Sequence, residues 1–80
     1  MKNKLAKFLG GHNALYRFYP PIKGEEYGVA SLVVIGKNVP EIVVLPSNKE
    51  GNVIEGEPLL RARGECTAGD AFDLIGYDSH

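Results

Sequence analysis

Apolar residues gather along this chain into short strand-like runs separated by turn residues, with a different spacing in the first nine residues. From Ala14 to Tyr19 the period is two: Ala14, Tyr16 and Phe18 point one way, while Leu15, Arg17 and Tyr19 point the other. Pro20-Pro21 is expected to end that strand, since neither residue has an N–H for a ladder, and Ile22 to Glu26 then reads as a polar connection. Tyr27 to Ile35 is the most apolar strand, with Val29, Leu32, Val33, Val34 and Ile35 supplying side chains to both faces near its end. Such a run predicts a central strand covered on both sides. Gly36-Lys37-Asn38 forms a compact turn of residues that tolerate positive φ, and Ile42 to Leu45 returns as the partner arm of a β-hairpin. Pro40 and Pro46 bracket this arm and place one of its sides at a sheet edge.

The N-terminus has a different spacing. Leu5, Phe8 and Leu9 fall at i, i+3 and i+4, Lys2, Lys4 and Lys7 lie elsewhere, and Gly10-Gly11 supplies a stop. This predicts a short amphipathic helix over residues 1–11, docked on a β-rich core spanning 13–78, because a helix of that length is not stable alone. After the hairpin, 47–52 is a loop by composition, Val53-Ile54 a short strand and 59–65 a further strand. Thr67 and Asp70 have capping-box spacing, which would start a short helix near 68–75. The competing reading turns the chain at Ala68-Gly69 and runs a last strand from Ala71 to Tyr77, with Phe72 and Leu74 inward and Asp73 outward. We take the strand, because Gly76 would sit inside so short a helix.

The expected fold class is therefore mostly β: a small curved antiparallel sheet or barrel of about five strands with a short N-terminal helix, as a single domain over 1–80. The runner-up is an α+β sheet with a second helix near 68–75. Eighty residues leave room for one core and little stability to spare, so an oligomer interface is a natural way to add buried area.

A net charge of −1 speaks against a general nucleic-acid binder and against an acidic mimic of DNA. The lone Cys66 allows neither an internal disulfide nor a cysteine zinc site, which fits a reducing compartment. Lys7 and Gly10-Gly11 interrupt any signal-like or membrane-spanning stretch, so a cytoplasmic location without membrane contact is expected. No cofactor and no metal are expected: Asp70, Asp73 and Asp78 lack a calcium-loop pattern. His12 and His80, near opposite ends, have no local catalytic signature around them.

One short motif has a chemical parallel. Glu65-Cys66-Thr67-Ala68-Gly69-Asp70-Ala71-Phe72 resembles the second signature of the ribokinase-like sugar kinases. In that family a Gly-Ala-Gly-Asp run opens a helix whose amides hold an anionic transition state, with the Asp as base. The resemblance implies Asp70 as base and Gly69 in the anion hole. It covers about a tenth of the chain, with Thr67 in place of the first glycine, and nothing else of that much larger enzyme is here.

With no assembled catalytic set, the reading is a non-enzymatic binding protein: an inhibitor, adaptor or regulatory subunit whose target is another protein or itself. Tyr19, Pro20, Pro21, Ile22 and Tyr27 cluster around one connection and offer aromatic and rigid groups that lose little entropy on binding. Val43 stands for an exposed strand edge near 42–44 that could pair with another chain. The alternative is a small β-barrel that binds single-stranded nucleic acid through Tyr16, Tyr19, Arg61 and Arg63.

Overall fold

Five antiparallel strands form one open sheet: β1 (Leu5–Gly10), β2 (Leu15–Ile22), β3 (Glu25–Ile35), β4 (Val39–Ser47) and β5 (Leu60–Arg63). A short helix, α1 (Ala68–Asp73), follows, and a two-residue strand β6 (Asp78–Ser79) lies parallel to β1. The strand order is β5-β4-β3-β2-β1-β6, so the sheet does not close and the molecule is not a barrel. The computed structural model describes residues 4–10, 14–36, 39–64 and 67–79. Lys37 and Asn38 of the expected turn, together with His12, Cys66 and His80, lie outside the described residues.

The hairpin is realised with longer arms than the pattern suggested, since β3 and β4 pair from Tyr27↔Ser47 to Ile35↔Val39. Both prolines expected to bracket β4 lie inside it. They are tolerated because β4 pairs its odd-numbered residues with β3, while the carbonyls of Pro40 and Pro46 face the other side and accept from Gly64 and Ile54. The missing N–H of each proline therefore removes no rung between β3 and β4. β5 pairs with β4 over Glu41↔Arg63 to Val44↔Leu60, so β4 is an interior strand and not an edge. Val53-Ile54 amounts to one bridge, Val53↔Ser47.

The N-terminal segment is a strand, not a helix. As a strand it sets Ala6 and Phe8 on one face and Leu5 and Lys7 on the other, and pairing from Leu5↔Tyr19 to Phe8↔Tyr16 gives it backbone partners that an isolated two-turn helix would lack. The helix instead stands at the C-terminal end, where a strand was expected. Thr67 Oγ1 accepts from the Asp70 N–H and Asp70 Oδ2 from the Thr67 N–H, both at 3.1 Å, which completes the capping box. Gly76 (φ 83°) lies beyond the helix and ends it, with the Tyr77 N–H returning to the Phe72 carbonyl. Leu74, expected inward, is 73% exposed at the C-cap.

The pairing register divides the sheet into two faces. One, which we term the helix face, carries Ala6, Tyr16, Phe18, Gly28, Ala30, Ile42, Val44 and Ala62, and α1 packs on it with Ala71 and Phe72 fully buried. Phe72 packs against Tyr16 and Phe18, with ring centroids 4.8 and 5.5 Å apart. Phe18 in turn lies over Gly28, where a Cβ would stand 2.8 Å from its ring and 3.0 Å from the Leu45 carbonyl oxygen. On the opposite, more open face the loop after β4 provides cover, with Gly51 over Leu15. The apolar end of β3, expected to be covered on both sides, is bare: Leu32 is 62% and Val34 58% exposed.

Gly28→Ala is predicted to destabilise the protein by about 1–3 kcal/mol, the usual consequence of overpacking a filled core. A urea titration checks this, and an unchanged midpoint would show that the Phe18 ring can move aside.

Candidate functional site

The candidate site lies on the open face where β1 and β2 run side by side. Cross-strand pairing sets Leu5 opposite Tyr19 and Lys7 opposite Arg17, and these four residues line a hollow of about 290 Å³. Tyr19 is 67% exposed, and Lys7, Arg17, Pro20 and Pro21 are exposed beside it. Arg17 also faces Tyr27 on β3, half-buried on the same face. Like charges directly opposite on paired strands repel, and neither Lys7 nor Arg17 has an ion pair among the described residues; the two ion pairs there belong to Glu41. The site thus combines an exposed ring, an apolar neighbour and two uncompensated cations.

A register shift in β2 presents Tyr19. Between Arg17↔Tyr27 and Ile22↔Glu25 the strand carries more residues than β3 opposite it. Pro20 and Pro21 sit in this bulge, where no ladder bond to β3 is required of them, so they do not end the strand. The connection expected over 22–26 shrinks to a turn at Lys23-Gly24, whose φ values of 50° and 81° suit a two-residue hairpin.

The bulge is anchored from the far side. Tyr77 Oη donates to the Pro20 carbonyl at 2.6 Å, and the Tyr77 ring lies against Phe18 and under the Lys4 ammonium, 5.6 Å from the ring centroid. Burial raises the Tyr77 hydroxyl above its ordinary pKa of 10.0. The neutral phenol is the form that can donate to Pro20.

Of the six residues proposed for protein binding, Tyr19, Pro20, Pro21 and Tyr27 fall at or beside this surface. Ile22 is buried in the main core, and Val43 is buried in interior strand β4, which removes the exposed-edge reading of 42–44. Leu5, Lys7 and Arg17 were missed as site residues. The signal for the first two was the period-two reading of the N-terminus, which the helix spacing masked.

The four residues of the nucleic-acid alternative do not form one surface. Tyr16 is buried on the helix face. Arg61 and Arg63 lie on β5, three strands and about 14 Å from β2. Both lie 3.8 Å from the buried carboxylate of Glu41, which offsets part of their charge. A wider hollow of about 480 Å³ beside Lys23 brings together Lys23, Arg61 and Glu57, with no aromatic side chain in its lining.

Asp70 and Asp73 lie on α1, and the Asp70 carboxylate is engaged in the helix cap. No group of three metal-ligating side chains occurs among the described residues, and no helix there is long and apolar enough to cross a membrane. No family model, curated protein or solved structure matches the chain.

The folded state holds the Tyr77 proton more tightly than the unfolded chain does. Its contribution to stability is therefore present below about pH 10 and is lost as pH rises through the raised folded value. Tyr77→Phe is predicted to lower stability at neutral pH by about 0.5–1.5 kcal/mol through loss of the bond to Pro20. The variant should also lack this part of the alkaline decline. Urea midpoints followed from about pH 8 to about pH 11 check both; parallel pH curves for the two proteins would contradict the assignment.

Proposed function

We propose that this chain is a small non-enzymatic binding protein, an inhibitor, adaptor or regulatory subunit, that acts through protein–protein contacts at the Tyr19 surface. The observation that carries the reading is the juxtaposition of the exposed Tyr19 ring with Leu5 and with the cation pair Lys7–Arg17. Aromatic and arginine side chains dominate the binding energy of protein interfaces, because they contribute large contact area at low entropic cost. The chemistry selects a partner segment with acidic side chains next to an apolar one. The acids would relieve the repulsion between Lys7 and Arg17, while the apolar group fills the hollow between Leu5 and Tyr19. With a single cysteine, which suits a reducing compartment, we place this activity in the cytoplasm.

A second reading is favoured by the same juxtaposition. An exposed ring beside two cations also suits single-stranded nucleic acid, with a base on Tyr19 and phosphates on Arg17 and Lys7. The net charge of −1 ranks it second.

A photo-crosslinking amino acid at position 19, irradiated in the cells that make the protein, is predicted to give a discrete adduct that survives nuclease. Arg17→Glu in the same chain should remove that adduct. Once the partner is purified, Tyr19→Ala should weaken its binding at least tenfold (about 1.4 kcal/mol) with an unchanged urea midpoint. An adduct destroyed by nuclease would move the assignment to nucleic acid. An adduct indifferent to Arg17→Glu would remove this surface from consideration.

A further inference from the structure

The end of β3 extends past its described pairing with β2. β2 pairs with β3 no further than Leu15↔Val29, and the Ala30 N–H still reaches the Ala14 carbonyl at 3.2 Å. Beyond that point, Ser31 to Ile35 is hydrogen-bonded only to β4 among the described residues. Backbone groups alternate in direction along a strand. Since Ala30 bonds outward to Ala14, Leu32 and Val34 also turn their N–H and C=O groups outward, whereas Ser31, Val33 and Ile35 bond to β4. Among the described residues the result is a free edge with two outward donors and two outward acceptors.

The edge lacks the devices that blunt strand edges elsewhere in the molecule. The outer strand β5 carries Arg61 and Arg63, and β1 beyond its short pairing with β6 carries Lys7. Ser31-Leu32-Val33-Val34-Ile35 carries no charge and no proline. Natural edge strands are normally protected against pairing by one or the other.

We infer that two copies of this chain join through this edge, β3 against β3, as an antiparallel two-fold dimer centred on Val33. The register follows from the ends of the free window, which are the Ala14 contact on one side and the turn at Gly36 on the other. Centring five residues on Val33 places Leu32 of each copy opposite Val34 of the other. These are the residues whose backbone groups point outward, so four hydrogen bonds form across the axis. A shift of one residue would present the wrong groups, and a shift of two would drive a chain end into Ala14 or the turn. In the matched register Leu32 and Val34 of both copies form one apolar row on the helix face, and the two Val33 side chains meet on the other. No charge opposes the contact. Five residues a side is well below the roughly 20–30 of a standard interface, so the dimer dissociates on dilution. It does not depend on the Tyr19 surface.

Sedimentation analysis from about 1 μM to about 1 mM is expected to show the mass rising from one chain to two. Val33→Lys should keep the protein monomeric throughout, because two ammonium groups would face each other across the axis. Its fold should survive, since Val33 is 37% exposed and pairs with Glu41 on β4. A geometric check uses a Cys66→Ser background. There, Val33→Cys should oxidise readily to a linked dimer, the paired Cα atoms lying about 4.5 Å apart. Ser31→Cys should not, because its two copies are four residues out of register, about 13 Å. A wild-type chain that stays monomeric across the range would overturn the inference, even if the edge then captured a different protein. So would association that persists in Val33→Lys, or equal cross-linking at both cysteine positions.

Discussion

Phe72 must be buried, and nearly everything distinctive about this molecule follows from where that is possible. Six helical residues cannot hold themselves together in water. They persist because the Thr67–Asp70 box closes the first turn and because Phe72 fills the space between Tyr16 and Phe18. Room for these rings is made by residues with little or no side chain: Ala6, Gly28 and Ala30 lie in the same part of the sheet. The chain leaving the helix then brings Tyr77 to the Pro20 carbonyl and β6 to β1, which ties the C-terminal end to the N-terminal strand.

One helix cannot cover both faces of a five-stranded sheet, and the chain has no second helix among the described residues. The covering material is spent on one face, over the middle of the sheet. The other face keeps a loop over Leu15 and leaves the Tyr19 hollow open, and Leu32 and Val34 at the far end of β3 stay exposed. The two surfaces assigned to binding are therefore consequences of the same shortage of covering structure, on an open face and at an open edge. They differ in chemistry, one cationic and aromatic, the other aliphatic and uncharged.

The hairpin was legible because its signal is local: a run of β-branched residues, the turn-forming sequence Gly36-Lys37-Asn38 and a second run need nothing beyond themselves. The N-terminal strand was not, because Leu5, Phe8 and Leu9 fit a helical stripe better than an alternating pattern, and the deciding factor is pairing with β2. The helix was visible as Thr67-x-x-Asp70 and was set aside on account of Gly76, whose place is just past the helix end. Pro20, Pro21, Pro40 and Pro46 were read as strand breakers, yet each occupies a position whose N–H is not needed for the β2–β3 or β3–β4 ladder, which only the register reveals. The apolar end of β3 carried the opposite ambiguity. Residues apolar on both faces mean burial between layers or a surface awaiting a partner, and composition does not separate the two. At the candidate site Tyr19 and its prolines were singled out from residue type alone. Leu5, Lys7 and Arg17 required knowledge of which strand lies beside which.

Residue-resolved amide hydrogen exchange by NMR, at a concentration low enough to keep the chain monomeric, examines the division between covered and bare structure most directly. The account predicts alternation along β3: slow exchange at Val33, whose N–H is held by β4, and fast exchange at Leu32 and Val34, whose N–H groups face outward. Equal protection of all three in the dilute monomer would mean that the chain covers its own edge, and would contradict the view that this end of the sheet is left open for a second copy.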